Sequence, residues 1–301
     1  MEGVRVKVPA TSANMGPGFD CLGVALNLYN RLEAHEDDKP RVEAEGEGAG
    51  LIPRDTSNLT YRAMRRAYEA AGRASPCFFI RQINAIPLSR GLGSSAAAIV
   101  GGLVAANALM GNPLAKCELA RIACEMEGHP DNVVPCLFGG LAASEMDGAD
   151  VRYALSQPHE RFRFAAMVPD FELSTAKARQ ALPDAYPRAD AVRNVGRAVL
   201  MHAALGQGDA ELLRAACHDR LHEPYRKALI PGWDDVHASA ADNGALAVYL
   251  SGAGPAMMAV YDCDDEGFPR RLQDALEGLT QQWKVLRLEC CREGTTVRHG
   301  G

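Results

Sequence analysis

The chain has 301 residues, 47% apolar and 23% charged, with a net charge of −6, the balance of a soluble globular protein long enough for two compact lobes. The acidic excess speaks against a nucleic-acid surface, the longest apolar run (residues 96–106) is too short to cross a bilayer, and the opening residues lack a secretion-signal pattern. Nine cysteines without a C-x-x-C pair read as reduced thiols, so a cytoplasmic protein is expected.

Val4, Val6 and Val8 alternate with polar residues and predict a half-buried opening strand. The stretch PATSANMGPGFD then reads as turn, and residues 22–28 as a second strand. Residues 36–50 are charged and Gly-rich, as in a hairpin or loop. A helix is predicted over 58–72, a strand at CFFIRQI, and an alanine-rich helix over 96–110 that Gly111 stops. The next helix, 114–128, gathers Leu119, Ile122, Ala123 and Met126 on one face. GHPDNVVPCLFGG reads as a loop, and a polar stretch near 145–160 suggests a division into residues 1–155 and 156–301. Beyond it follow a strand at 162–169 and helices at 174–181 and 190–206. Strands at 245–250 and AMMAVYD flank the turn SGAGP, a helix covers 268–280, and WKVLRLE is the last strand. Residues 295–301 read as a loose tail. This order is α+β, not a regular βαβα alternation.

The chemistry concentrates in five segments. In PLSRGLGSSAAA, Gly91 and Gly93 let an anion approach the backbone. Ser94 or Ser95 suits a cap, and the helix that follows directs free N–H groups at the anion. No lysine follows Gly93, which excludes a Walker A loop. No acidic residue lies about 20 positions on, so a dinucleotide turn lacks its ribose partner. A plain strand-to-helix turn fits the local pattern too. Thr11, Ser12, Asn14 and Asp20 form a polar group suited to a small polar ligand, or to satisfying their own turn. In EMEGHPDN, Glu125 faces away from the apolar stripe, as a surface glutamate does. His129, Asp131 and Asn132 crowd Pro130, a poor zinc set but a fair one for Mg²⁺ and a hydroxyl substrate. Arg179 and Arg226 read as surface arginines or as bidentate grips on a carboxylate. Gly252 and Gly254 make a tight turn between strands.

Taken together, these segments resemble the GHMP small-molecule kinases. That family carries an N-terminal substrate motif, a P-x-x-x-G-L-G-S-S-A phosphate loop and a late Gly-rich turn, in the order found here. PATSANMGPGFDCLGVAL, RGLGSSAAA, GHPDNVVP, EPYRKALIPG and SGAGPA are similar, within it, to the homoserine kinases, over residues 9–255. The resemblance implies a two-lobed α+β fold, with an N-terminal lobe like the second domain of ribosomal protein S5 and a ferredoxin-like C-terminal lobe. It implies phosphorylation of L-homoserine by ATP with Mg²⁺, a step toward threonine, by a homodimer. Another small-molecule kinase of the family, acting on threonine or mevalonate, is the alternative.

By the same resemblance, Pro87, Arg90, Gly91, Leu92, Gly93, Ser94, Ser95 and Ala96 surround the ATP phosphates, and Asn58 borders the adenine. Ser95 and Glu125 hold Mg²⁺, with Glu127 as the rival carboxylate. Asn14 and Asp20 meet the amino group and hydroxyl end of the substrate. Arg179 and Arg226 clamp its carboxylate, and His129 and Asn132 line its pocket. Gly252 and Gly254 support the first motif. Asn132 orients the hydroxyl without a general base, and Asp131 is the rival base.

Overall fold

In the computed structural model, which describes residues 3–300, β1 (Val4–Ala13) buries Val4, Val6 and Val8 and turns Arg5 and Lys7 outward, as the alternation predicts. Beyond Val8 it is covered on both sides, so the strand runs on through Pro9–Ala13, where the sequence suggests a turn. It pairs antiparallel with β2 (Leu22–Asp37), a strand that continues well past the predicted end, with a register shift at Pro9/Ala10. β3 (Arg41–Gly46) lies inside the charged stretch and pairs parallel with β4 (Cys77–Asn84).

Four helices pack on this sheet: α1 (Leu59–Ala70), α2 (Ser94–Leu109), α3 (Lys116–Glu127) and α4 (Pro130–Phe138). α2 is apolar all round, and twelve of its sixteen residues are buried, as expected of a helix at the centre of a core. Gly102 is what lets α1 approach it, because a Cβ there would lie 2.5 Å from the Thr60 carbonyl oxygen. α4 replaces the expected loop. Its Pro130 opens the helix, where the missing N–H costs nothing, and Val133, Val134, Cys136 and Leu137 face the core.

β5 (Leu141–Asp147) and β6 (Asp150–Ser156) form an antiparallel hairpin in the stretch that looks like a boundary. β6 pairs with β5 alone, so it is an edge strand, and its polar residues face solvent. The chain then enters a second sheet at β7 (Phe162–Pro169) and continues through α5 (Thr175–Gln180), α6 (Arg188–Gln207), α7 (Ala210–Ala216), α8 (Glu223–Arg226) and α9 (Trp233–Asp242). β8 (Ala247–Leu250), β9 (Met257–Asp262), α10 (Phe268–Leu276) and β10 (Trp283–Leu288) complete it, in the order β10-β7-β9-β8, all antiparallel.

Residues 295–300 are not a loose tail. β11 (Thr296–His299) returns to the first sheet and pairs with β1, giving the order β11-β1-β2-β4-β3 with β5 and β6 beside β2. The Thr295 hydroxyl donates to the Cys136 carbonyl oxygen at 2.8 Å. The chain passes from the first sheet to the second between Ser156 and Phe162, and its last strand returns to the first sheet.

Candidate active site

Three segments far apart in sequence are bonded into one floor. At the end of β1, the Ser12 and Ser251 hydroxyls meet at 2.8 Å, and the Gly252 N–H donates to the Ala13 carbonyl at 3.0 Å. The Ser251 hydroxyl also shares a hydrogen bond with the Gly91 carbonyl at 2.7 Å, and the Ala256 N–H donates to Arg90 at 3.1 Å. The SGAGP turn therefore sits between the first motif and the phosphate loop. A Cβ at Gly91 would lie 2.2 Å from the Ser251 carbonyl oxygen, and one at Gly93 would lie 1.9 Å from Thr11 Oγ1. Both glycines also have positive φ, which other residues adopt at a cost. Gly93, not a serine, is the N-cap of α2. Ser94 and Ser95 fall in its first turn, where the backbone N–H groups lack helical partners.

The floor opens into a cavity of about 350 Å³, within the usual size of a small-molecule site. Asn14, Asp20, Asn58, Arg90, Gly91, Gly93, Ser94, Ser95, His129, Asp131, Asn132, Arg179, Arg226, Gly252 and Gly254 all line it, together with Glu127. Pro87, Leu92, Ala96 and Glu125 do not. Leu92 and Ala96 are fully buried in the core, and Pro87 borders a separate surface depression.

Glu125 points outward to Arg66 at 3.3 Å and Arg121 at 3.9 Å. Ser95 instead donates to Glu127 at 2.7 Å. The carboxylate beside the phosphate loop is thus Glu127, which corrects the expected partner of Ser95. Burial raises the Glu127 pKa, while Ser95 and His129 pull it back.

Three more expected contacts are engaged within the protein. Asn14 donates to the Gly252 carbonyl at 2.7 Å and accepts from the Asp20 N–H at 2.9 Å, so its amide fixes the loop between β1 and β2. That loop carries Asn14, Met15 and Asp20 with positive φ, a strain typical of functional loops. Asn58 caps α1 by accepting from the Thr60 and Tyr61 N–H groups, and donates to Gln82 at 2.9 Å. Arg90 donates to the Pro169 and Asp170 carbonyls, both at 3.0 Å, and so ties the phosphate loop to the second sheet.

Around the other end, Arg179 on α5 makes a bidentate pair with Asp20 at 3.0 and 2.9 Å, joining the two halves across the cavity. Arg226 is buried, donating to the carbonyls of Ala178 at 3.2 Å and Gly252 at 3.3 Å. Burial and the nearby Arg179 lower its pKa. Asp131 is also buried and bonds His129 Nδ1 at 2.6 Å. Burial works against a charged His129, but Asp131, Glu127 and Asp20 outweigh it and raise the pKa. The Thr11 hydroxyl donates to Asn132 Oδ1 at 2.7 Å, which turns the Asn132 amide donors away from Thr11.

Gln82 and Thr60, bonded at 2.8 Å, are lining residues that sequence reasoning missed. The signal was present: β4 buries Phe78, Ile80, Gln82 and Asn84 on one face, and amides in such a row mark a site.

The model of the GHMP kinases N terminal domain matches residues 58–140, and that of the GHMP kinases C terminal region matches 201–278. The chain is 44% identical to a homoserine kinase of Caldicellulosiruptor bescii, over 98% of this chain and 96% of the relative. It is 43% identical to one of Clostridium botulinum, over 98% and 99%. A crystal structure of homoserine kinase from Cytophaga hutchinsonii superposes with a TM-score of 0.90 at 29% identity, covering 99% of this chain and 98% of that one. A mevalonate kinase structure, 14% identical with a TM-score of 0.71 over 96% of this chain and 99% of its own, shares the fold. The three motifs that meet in one floor, and relatives matched over nearly their whole length, lead to the same conclusion: the chain belongs to the GHMP kinases, in their homoserine kinase family.

Proposed function

We propose that this chain transfers the γ-phosphoryl group of ATP to the side-chain hydroxyl of L-homoserine, giving O-phospho-L-homoserine. The observation that carries the substrate is the Asp20–Arg179 pair beside Asn132 and His129 in the cavity that holds the phosphate loop. Homoserine is a zwitterion with a free hydroxyl. Its ammonium takes Asp20, its carboxylate takes Arg179, and its hydroxyl reaches Asn132. The first turn of α2 and the glycines before it present N–H groups to the triphosphate.

The Ser95 hydroxyl and Glu127 carboxylate are hard oxygen donors at the phosphate loop, a fit to Mg²⁺. When bound there, the ion offsets charge on the transferring phosphates. Phosphoryl transfer passes through a loose transition state, so positioning and charge compensation supply most of the rate. Asn132, anchored by Thr11, orients the hydroxyl. Asp131 is engaged by His129, which supports transfer without a general base. The expected homodimer and cytoplasmic location belong to the same proposal. Among the described residues no helix is long and apolar enough to cross a membrane.

The test is ADP release with L-homoserine, D-homoserine, L-threonine and mevalonate. Turnover is expected with L-homoserine foremost, and faster turnover of threonine or mevalonate would overturn the substrate assignment. A loss of ~10³-fold or more in kcat for Asp131→Asn, with homoserine still bound, would overturn the base-free account.

A further inference from the structure

The cavity is divided by chemistry. Apart from Arg90 of the phosphate loop, its charged lining comes from the loop after β1 and from elements beyond α2: Asp20, Glu127, His129, Asp131, Arg179 and Arg226. The lining between β3 and the start of α1, and that of β4, carries no charge. Leu51, Ile52 and Pro53 are apolar there, and Thr60, Gln82 and Asn84 are neutral and buried. Buried amides need partners, and most of these have them. The Asn58 amide donates to the Pro53 carbonyl at 3.0 Å and to Gln82 Oε1 at 2.9 Å, and accepts from the Thr60 and Tyr61 N–H groups at 2.9 and 3.2 Å. It has no hydrogen-bonding position left. Gln82 gives one N–H to Thr60 Oγ1 at 2.8 Å. Asn30, also at the cavity, accepts from the Ala85 and Ile86 N–H groups at 2.9 and 3.0 Å, which fixes the orientation of its amide. Asn84 is the exception. It ends β4 on the face of Gln82 and is 6% exposed, yet its amide has no hydrogen-bond partner among the described residues.

We propose that Asn84 decides which nucleotide this chain accepts, by pairing its amide with the exocyclic amine and a ring nitrogen of adenine. The inference rests on the reading above that ATP is the phosphoryl donor. A flat, neutral heterocycle suits the uncharged end of the cavity, with apolar walls and a few polar groups to orient it. An amide carries a donor and an acceptor side by side, which matches the edge of adenine. The neighbouring amides set the selection. The Asn58 and Gln82 oxygens already accept internal hydrogen bonds, and the Asn30 oxygen accepts two. What Asn30 and Gln82 have left to offer is N–H donors, so Asn84 Oδ1 is the uncommitted acceptor of the group. Adenine needs an acceptor for its amine and meets the donors with its ring nitrogens. Guanine brings an N1–H and a 2-amino group instead, and would leave N–H groups buried without acceptors, a costly state.

Titration calorimetry of the full chain with Mg²⁺ and nucleotide, without an alcohol substrate, tests this apart from turnover. The wild type is expected to bind ATP at least ~10-fold more tightly than GTP. Purine riboside triphosphate, which lacks the exocyclic amine, is expected to bind the wild type about 10-fold more weakly than ATP. Asn84→Ala is expected to bind that analogue and ATP about equally. Asn84→Asp replaces the amide donor with a second acceptor, which suits the guanine edge. It is expected to shift the ratio of the two Kd values toward GTP by at least ~10-fold, a gain that misfolding cannot produce. A wild type indifferent to the loss of the amine, or equally fond of GTP, would overturn the assignment without any variant. So would an ATP preference that both Asn84 variants keep. A wild type that binds neither ATP nor GTP would instead sink the kinase reading itself.

Discussion

Glu125 and Glu127 stand two places apart on α3, and helix geometry turns them about 200° from each other. Glu127 follows Ala120, Ala123 and Cys124 at helical spacing, and all three are buried. Glu125 follows Arg121, on the opposite side. The stripe thus selects which carboxylate reaches Ser95. We expect Glu127→Gln to lower kcat by about 10²-fold or more and to weaken the apparent affinity for Mg²⁺. Glu125→Gln is expected to stay within about two-fold, since it removes only exposed ion pairs. Steady-state ADP release over a Mg²⁺ titration reads both. Equal losses in the two variants would return the metal assignment to an open choice.

At the scale of elements, α8 is only four residues long, yet it braces three loops. Asp219 accepts from the Leu221, His222 and Glu223 N–H groups ahead of it. His222 meets the Gly16 carbonyl at 2.8 Å, Arg226 reaches Gly252, and Glu223 accepts from the Leu250 N–H at 2.7 Å. Burial pushes the Glu223 carboxyl up to about 8. A carboxyl whose pKa is raised on folding holds its proton more tightly in the native state. Its contribution is complete below its unfolded value, about 4.3, and is lost as pH rises to about 8. Glu223→Gln keeps an acceptor for Leu250 without the charge. Its Tm relative to wild type is therefore expected to rise by several degrees between pH 5 and 8, roughly 2–4 °C per unit. A difference that is flat with pH in thermal melts would show that Glu223 titrates normally.

On the scale of the whole molecule, the two halves are tied at both ends of the chain. β11 pairs with β1, and the Cys291 carbonyl accepts from the Gly140 N–H at 2.8 Å. Arg90 and the Asp20–Arg179 pair cross between the halves at the cavity. Removing residues 294–301 strips β1 of one neighbour and leaves the Cys136 carbonyl without Thr295. The truncated chain is expected to melt at least about 5 °C lower. An unchanged Tm would mean that β11 adds nothing to the first sheet.

The sequence by itself determined the three motifs, their order and most of the helices and strands. Those signals are local: glycine spacing, alternation in Val4–Val8, and the alanine run after Ser95. It also named most of the residues that line the cavity, His129 and Asn132 among them, but it missed Gln82 and Thr60 and placed Pro87, Leu92, Ala96 and Glu125 there, which lie elsewhere. Local pattern failed where an element depends on a distant partner. β11 forms because β1 offers an edge, the hairpin of β5 and β6 because β2 does, and α4 because the core covers its apolar face. Only the tertiary structure decided how each side chain is used. Asn14, Asn58 and Arg90 satisfy buried backbone groups at the cavity wall, while Asp20 and Arg179 meet each other across it. A hydrogen-bond partner 159 residues away leaves no trace in either residue's local sequence.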